Sequence, residues 1–360
     1  MMKKISILHL GGTISSKVDY KTGGVSSKFS EKDMLELYPE IKKIAKISSR
    51  LIANMLSEDM NFQHYNLISK EIQKEVKKGT EGIIITHGTD TLHYTSAALS
   101  FILEHLPIPV ILVGAQRSSD RGSSDAELNL ICALNFIAQS NFSGIAVCMH
   151  SSTSDDACLI LPPTKSRKIH SSRRDAFKAI NSKPIARVTK QGNIGFIKKI
   201  TEKNGNFKLY LFNPDLKIGI LKSHPNLSSL EIKNYSKFDG LVIEGTGLGH
   251  IAVNKIDSLT NENENVLKEL KKLAKKIPII MTTQCIFGRT NLDVYSSGRK
   301  LQEAGILGTQ LDMTTETAFI KLAWLLSNHK KEEIPKLINK NYRNEISSRT
   351  SLDFLDYVYT

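Results

Sequence analysis

The chain has 360 residues, long enough to bury a sizeable core and long for one domain, so two domains are predicted. Its composition is ordinary, no signal-peptide pattern precedes the first glycines, and no run approaches the roughly 18 apolar residues of a membrane span, which predicts a globular, cytoplasmic protein. The formal net charge of +13 allows an anionic partner, but the lysines are spread without interleaved aromatic residues, which favours a lysine-rich solvated surface over a nucleic-acid site.

The first predicted strand covers residues 5–10 and leads through Gly11 and Gly12 to Thr13. Residues 15–29 are polar and contain glycines, which predicts a loop at the mouth of a site. Tyr20 in this loop fits either a lid residue or a surface tyrosine. A short helix is predicted for residues 31–38, before Pro39.

The next strand, predicted for residues 47–55, leads into a polar cluster that contains Ser57 and Glu58. A helix at residues 66–78 precedes the aliphatic strand 83–85, which ends in the sequence HGTDT. Thr89 and Asp90 therefore follow a strand, and the helix predicted for residues 91–105 places Asp90 where a carboxylate can cap a helix.

Two threonine hydroxyls, those of Thr13 and Thr89, are thus presented directly after strand-and-glycine turns. In an open α/β sheet, ligands bind beyond the carboxyl ends of the parallel strands. The sequence therefore predicts that both hydroxyls belong to one site.

Residues 109–113 are predicted to form a strand that ends at Gly114. The charged residues that follow are interpreted as an internal salt-bridge network or a contact between protein chains: Arg117, Asp120 and Arg121. Ser124 and Glu127 fit a capping box for the next helix. After a strand at residues 144–149 comes Lys168, whose role composition and spacing leave unassigned.

Residues 191–211 are predicted to form a hairpin and a connection, with a domain boundary near residues 213–216. A second α/β pattern follows, with strands at 218–221, 240–243 and 277–281 and helices at 265–276 and 316–329. Alternating strands and helices indicate parallel sheets. The predicted fold is a two-domain α/β protein with a larger N-terminal parallel-sheet domain (1–212) and a smaller C-terminal α/β domain (213–360).

No metal site is predicted. His87 and His93 lack carboxylate or cysteine partners at ligand spacing and are interpreted as structural histidines. The four cysteines form no CxxC pair and no Cys/His cluster in the sequence, which argues against structural zinc and against a disulfide framework: Cys132, Cys148, Cys158 and Cys285.

Five motifs taken together resemble the bacterial-type L-asparaginase family of amidohydrolases. They are GGTIS at the first strand, SEDMN at 57–61, HGTDT at 87–91, GAQR at 114–117 and RKIHSSRRDAF at 167–177. The resemblance extends over nearly the whole chain and implies a two-domain asparaginase-like fold. By its motifs, the catalytic candidates are Thr13, Tyr20, Thr89, Asp90 and Lys168. The substrate-binding candidates it implies are Gly12, Ser57, Glu58 and Gly88.

The motifs HYTSAALSF, MHSSTSDD and YSSGRKLQEAG are similar to the archaeal subfamily that forms the D subunit of glutamyl-tRNA(Gln) amidotransferase. That resemblance implies a glutaminase that needs no cofactor itself and passes ammonia to the E subunit, which uses ATP and Mg to amidate Glu-tRNA(Gln). It also implies a homodimer within an assembly of two D and two E subunits. The chain departs from the subfamily at Gly122, where a proline is common, and its first strand begins at Ile5, where the subfamily usually has a preceding small domain.

Two alternatives remain open. A freestanding cytoplasmic L-asparaginase would use the same site without a partner. A non-catalytic nucleotide- or RNA-binding α/β protein would fit the basic charge, although the sequence contains no phosphate-loop or Rossmann signature and its GTGLG segment lacks the required spacing.

Overall fold

The computed structural model describes residues 2–12, 14, 17–18, 25–26, 39–119, 121–199 and 205–350. The chain divides into two compact units, Met1–Tyr210 and Leu211–Thr360. The boundary expected between residues 212 and 213 stays a prediction. The predicted loop 15–29, apart from residues 17–18 and 25–26, and the predicted helix 31–38 lie outside the described residues.

Within its described residues, the first unit contains fourteen strands and three α-helices. Its strands are β1 (Lys4–Gly11), β2 (Lys17–Val18), β3 (Val25–Ser26), β4 (Lys46–Met55), β5 (Gly82–Thr86), β6 (Leu103–Glu104), β7 (Pro109–Val113), β8 (Gly144–His150), β9 (Ala157–Leu161), β10 (Ser166–Lys168), β11 (Phe177–Ala179), β12 (Ala186–Thr189), β13 (Ile194–Phe196) and β14 (Lys208–Leu209). Its helices are α1 (Phe62–Lys77), α2 (Leu92–Ile102) and α3 (Ala126–Gln139).

The main sheet of this unit has eight strands in the order β13-β12-β9-β8-β7-β5-β1-β4. From β4 to β8 every neighbouring pair is parallel, which confirms the predicted parallel sheet. The strands β9, β12 and β13 extend it with antiparallel pairings that the sequence did not predict. The carboxyl ends of β4, β1 and β5 therefore lie side by side, each followed by one of the motifs.

The strands at the centre of this sheet are buried on both faces. Ile84 on β5 belongs to the same hydrophobic cluster as Leu130 and Phe136 of α3. Ile83 and Ile85 point to the opposite face, because side chains alternate along a strand, and they are also fully buried. This explains why the central strands read as continuous aliphatic runs.

Two helix boundaries differ from the predictions. α1 begins at Phe62, earlier than expected, because the Asn61 side chain accepts hydrogen bonds from the backbone of Gln63 and His64. α2 ends at Ile102, before the predicted end at residue 105, because β6 pairs with β14. A tertiary pairing thus overrides a helical pattern that continues in the sequence.

Two predicted helix caps are wrong. The capping box of Ser124 and Glu127 is absent, since α3 begins at Ala126 and Asp125 precedes it with no side-chain cap. The Asp125 carboxylate instead accepts hydrogen bonds from the backbone N–H groups of the loop that follows β7. Likewise α2 begins after Thr91, and Asp90 lies outside the helix.

The hairpin predicted at residues 191–211 begins earlier, where β12 pairs with β13. The later part of that segment contains β14, which pairs with β6 rather than with a sequence neighbour. A further hairpin, β10 with β11, was not predicted, and it contains Lys168.

The second unit has a three-stranded parallel sheet in the order β15 (Ile218–Lys222), β16 (Gly240–Gly245) and β17 (Ile279–Thr283), which confirms the three predicted strands. Its helices are α4 (Ser229–Lys233), α5 (Asn261–Ala274), α6 (Ser296–Glu303), α7 (Thr315–Asn328) and α8 (Ile334–Leu337). α5 and α7 correspond to the predicted helices, and α6 was not predicted.

All four cysteines are free thiols. Three of them lie together in the first unit, where Cys158 makes side-chain contacts with both Cys132 and Cys148. Burial, the largest cause, raises the pKa of the Cys158 thiol, which keeps it protonated. Among the described residues, no helix is both long enough and apolar enough to cross a bilayer.

Candidate active site

Three loops meet at the carboxyl ends of β4, β1 and β5. Glycines allow the backbones of these loops to come close to one another. Gly12 has a φ of +78°, and a Cβ atom there would lie 2.5 Å from the Cα of Gly88. A Cβ atom at Gly88 would in turn lie 2.8 Å from the Cβ of Ser57. These distances leave no room for a side chain at either position. The structure thus brings together Gly12, Gly88 and Ser57, three of the four predicted substrate-binding residues.

Ser57 is buried and Glu58, the fourth, is exposed. The backbone carbonyl of Ser57 accepts a 2.6 Å hydrogen bond from the Thr91 hydroxyl. This bond attaches the polar cluster after β4 to the HGTDT turn. A buried serine hydroxyl beside an exposed carboxylate is suited to holding the amino and carboxyl groups of an amino acid.

Lys168 contacts both members of the predicted hydroxyl and carboxylate pair. Its Nζ donates to Thr89 Oγ1 at 2.8 Å and to Asp90 Oδ1 at 2.8 Å. Thr89 is buried, the Lys168 side chain is 11% exposed, and the Asp90 side chain is 67% exposed. Lys168 is separated from Thr89 by 79 residues of sequence, so its hairpin brings it to the turn after β5.

This arrangement has a definite chemical capacity. A threonine hydroxyl is a weak nucleophile until a neighbouring base removes its proton. A lysine within hydrogen-bond distance can take up that proton once it is itself deprotonated, and a carboxylate on its other side stabilises the ammonium that results. The three groups therefore meet the geometric requirement for activating a hydroxyl or a water molecule.

Two buried histidines hold the turns that carry these groups. His87 Nδ1 lies 2.6 Å from the carbonyl oxygen of Gly88, and its Nε2 lies 2.8 Å from Thr95 Oγ1. Burial lowers the pKa of His87 to about 4, so the ring is neutral near pH 7. Because a carbonyl oxygen can only accept, Nδ1 donates to it. His9 on β1 is held similarly by Thr86 and Ser49, and burial lowers its pKa to about 4 as well.

His87 is thus engaged in fixing the turn, in keeping with its interpretation as a structural residue. His93, also buried, stacks edge-on against Phe177 of β11 at 6.4 Å between ring centroids. In the part of the chain that the structure describes, no group of three or more His, Cys, Asp or Glu residues is arranged to hold a metal ion.

Two of the catalytic candidates, Thr13 and Tyr20, lie outside the described residues, as does Asp120 of the predicted charged network. Their roles stay predictions. The other two members of that network, Arg117 and Arg121, are exposed.

Sequence reasoning missed a set of polar residues that surrounds the loop after β7. Gly114 of this loop packs on Thr89, since a Cβ atom at Gly114 would lie 2.8 Å from Thr89 Cγ2. The Gly114 carbonyl accepts a hydrogen bond from the buried side chain of Asn129. Asn129 in turn contacts His150, the last residue of β8. The only signal in the sequence was the position of a histidine at a strand end.

Comparison with known proteins identifies the class to which this fold and site belong. The N-terminal asparaginase family model matches residues 4–202, and the glutaminase/asparaginase C-terminal domain model matches residues 217–337. The chain therefore belongs to the asparaginase family.

Among its relatives are D subunits of glutamyl-tRNA(Gln) amidotransferase. The D subunit from Pyrococcus abyssi is 42% identical over 357 residues, which cover 98% of this chain and 78% of that protein. The D subunit from Methanococcus maripaludis is 42% identical over 363 residues, covering 98% and 82%.

Solved structures of L-asparaginases share the fold. The thermostable L-asparaginase from Thermococcus kodakarensis has a TM-score of 0.83 and 34% identity, with 96% of this chain and all (100%) of that chain covered. L-asparaginase I from Vibrio cholerae has a TM-score of 0.81 and 27% identity, covering 96% and 99%.

Proposed function

We propose that this chain is the glutaminase component of a glutamyl-tRNA(Gln) amidotransferase: it hydrolyses glutamine to glutamate and ammonia, and a partner protein uses the ammonia to convert Glu-tRNA(Gln) to Gln-tRNA(Gln). The observation that carries the amidohydrolase chemistry is the contact of Lys168 Nζ with both Thr89 and Asp90. The choice of glutamine and of a tRNA-linked role is supported by relatives with 42% identity over 98% of the chain.

In the proposed mechanism, a threonine hydroxyl adds to the side-chain amide carbon of glutamine. Collapse of the tetrahedral intermediate breaks the C–N bond, releases ammonia and leaves a glutamyl ester on the threonine. Water then cleaves the ester to give glutamate and the free hydroxyl. Thr13 is proposed to carry the acyl group, with Tyr20 assisting, while Thr89, Asp90 and Lys168 activate the nucleophile or the water.

Backbone N–H groups at Gly12 and at the turn after Gly88 are proposed to stabilise the negative oxygen of the intermediate. Each donor of this kind is typically worth about 3 to 4 kcal/mol of barrier. The close packing of the two glycine turns supports this assignment, because it brings the two backbones into contact. Ser57 and Glu58 are proposed to bind the α-amino and α-carboxyl groups of the substrate.

The chain itself is proposed to need no cofactor, with ATP and Mg used by its partner, the E subunit of the amidotransferase. The assembly is proposed to contain two D and two E subunits, with the D subunits forming a homodimer. Its proposed location is the cytoplasm. Four free cysteines agree with a reducing compartment. The net charge of +13 agrees with work beside tRNA, since phosphates attract a basic surface.

The test is ammonia release from glutamine and from asparagine by the purified chain, alone and then with a candidate E subunit, Glu-tRNA(Gln), ATP and Mg. We expect glutamine hydrolysis to appear or rise when the partner and charged tRNA are added. Lys168→Ala is the matched control: it should bind the E subunit in a pull-down but release ammonia about 10³-fold less efficiently. The absence of release under every condition would contradict an amidohydrolase and favour a binding protein.

A freestanding L-asparaginase is the second candidate. It is favoured by one observation, namely that the L-asparaginase from Thermococcus kodakarensis aligns over its whole length with 96% of this chain. Strong asparagine hydrolysis that neither the E subunit nor tRNA changes would establish this candidate and reject the tRNA-linked role.

A further inference from the structure

The hairpin of Lys168 is tied to the rest of the first unit by one arginine. Arg174 lies in the connection between β10, which ends at Lys168, and β11. Its Nη1 donates to both carboxylate oxygens of Asp155, at 2.9 and 3.0 Å, and its Nη2 donates to the carbonyl of Ser123 at 2.6 Å. Hydrogen bonds between charged groups, as in the contact with Asp155, are stronger than bonds between neutral groups.

Asp155 connects Arg174 to the buried residue His150. The ring of His150 is fully buried, with Nε2 at 3.1 Å from Asp155 Oδ1 and Nδ1 at 2.7 Å from Asn129 Oδ1. Asn129 Oδ1 and the Asp155 carboxylate are both acceptors, so a ring nitrogen that carries a hydrogen donates it to its partner. Although burial alone would raise the pKa of Asp155, the hydrogen bonds and charges of His150 and Arg174 lower it.

Asn129 connects His150 to the loop after β7, which packs against Thr89. Its Nδ2 donates to the carbonyl of Gly114 at 3.0 Å, and Gly114 packs directly on the methyl group of Thr89. Since Nδ2 must donate to this carbonyl, Oδ1 is the atom that faces His150, which sets the orientation of the amide.

The contacts close a ring. Thr89 contacts the loop after β7, which is bonded to Asn129. From Asn129 the contacts continue through His150 and Asp155 to Arg174. Arg174 belongs to the same hairpin as Lys168, whose Nζ donates to Thr89. We infer that Asn129, His150, Asp155 and Arg174 are positioning residues, a hydrogen-bonded relay that sets the separation between Lys168 Nζ and Thr89 Oγ1. This inference rests on the proposed amidohydrolase function, in which that separation governs proton transfer.

The first test compares Arg174→Gln and Asp155→Asn with the matched controls Arg187→Gln and Asp156→Asn. Arg187 and Asp156 form an exposed ion pair of 2.9 Å that is not part of the relay. We expect each relay variant to lower kcat for ammonia release roughly 10- to 100-fold while KM changes less than about twofold, because small displacements of reacting groups have effects of this size. The controls should match the unaltered chain, and Arg174→Lys should lie in between.

The second test separates positioning from a general structural role. If Arg174 acts through Lys168, Arg174→Gln should reduce kcat less than about threefold in a Lys168→Ala background. Equal losses in both backgrounds, or no loss in the unaltered background, would overturn the inference. Should Arg174→Gln fail to fold, as judged by its Tm, the isosteric Asp155→Asn takes its place in the same cycle.

A third measurement is independent of activity. A crystal structure of the full-length Arg174→Gln protein should show the distance from Lys168 Nζ to Thr89 Oγ1 lengthened beyond hydrogen-bond range, whereas an unchanged 2.8 Å would reject the relay. Failure of the proposed function would appear differently, as an unaltered chain that releases no ammonia from glutamine or asparagine.

Discussion

The two units each contain a lysine–carboxylate pair of nearly the same length, in opposite surroundings. In the first unit, Lys168 Nζ lies 2.8 Å from Asp90, whose side chain is 67% exposed. In the second unit, Lys321 Nζ lies 2.7 Å from Glu345, and both side chains are 0% exposed. The distance between the charges therefore does not distinguish the two pairs. The pairs differ in the other groups that hydrogen-bond to the lysine and the carboxylate.

In the second unit those partners are backbone groups. Lys321 Nζ also donates to the carbonyl of Lys340, while Glu345 accepts from the N–H groups of Tyr342 and Arg343. Burial, the largest cause, lowers the pKa of Lys321, and Glu345 opposes that shift. The pair thus fastens the segment after α8 to α7 and leaves no face for a substrate.

In the first unit, the second partner of Lys168 is instead a side-chain hydroxyl, that of Thr89, and the carboxylate of Asp90 faces solvent. A closed pair with satisfied backbone partners holds a structure together, whereas an open pair next to a hydroxyl remains available to a ligand. Four predictions test this contrast.

The largest effect is expected at the open pair. Lys168→Ala should lower kcat/KM for ammonia release about 10³-fold, roughly 4 kcal/mol of barrier, because it removes the proposed proton acceptor of Thr89. The Tm should change little, since the partner carboxylate is left in solvent. Lys222→Ala, which removes an exposed lysine of the second unit, is the control. A Lys168→Ala enzyme with near-normal rates would remove this residue from the mechanism.

The buried pair of Lys321 and Glu345 should affect the stability of the folded protein. Lys321→Met should lower the free energy of unfolding by about 3 kcal/mol, because Glu345 is left buried without its counter-ion. Urea titration would measure this change against Lys222→Met. If the loss is below about 1 kcal/mol, the pair does not fasten the segment as described.

Acid should weaken the first unit through its two neutral histidines. The pKa of His9 and of His87 is lowered to about 4 in the folded chain, while the ordinary value is 6.5. The unfolded chain therefore binds more protons between these values, and stability falls as pH drops from about 6.5 towards 4. Each histidine should contribute a loss of about 2 kcal/mol between pH 6.5 and 5.

Urea titration at several pH values would detect this loss, and His87→Gln should reduce the slope. His224→Gln is the control, because His224 is exposed and its pKa is raised, first by its hydrogen bond to the Pro225 carbonyl and then by Glu231. A His87→Gln protein with the original pH slope would show that His87 does not contribute to it.

The smallest effect is expected where both charges are exposed. Arg187→Gln breaks the ion pair with Asp156 and should change the free energy of unfolding by less than about 1 kcal/mol, since solvent and salt screen such pairs. A larger loss would mean that exposure is a poor guide to the value of an ion pair in this protein.

Local sequence was enough for the framework of the first unit. The aliphatic runs that form β5, β7 and β8 were recognisable because strands buried on both faces are apolar throughout. The resemblance to the asparaginase family supplied Gly12, Ser57 and Gly88 as site residues, and parallel topology, which aligns the carboxyl ends of neighbouring strands, explains why they meet at one edge. Thr89 and Asp90 were identified because a hydroxyl and a carboxylate follow such a strand directly.

Contacts between segments that are distant in the sequence became visible only in the folded structure. The contact between Lys168 and Thr89 spans 79 residues and requires a hairpin that no local periodicity predicts. The same reason accounts for the early end of α2, the Asp125 contacts that replace a capping box, and the relay from Asn129 to Arg174. Periodicity and capping patterns report only on neighbours along the chain, whereas these hydrogen bonds form between loops that meet once the sheet is assembled.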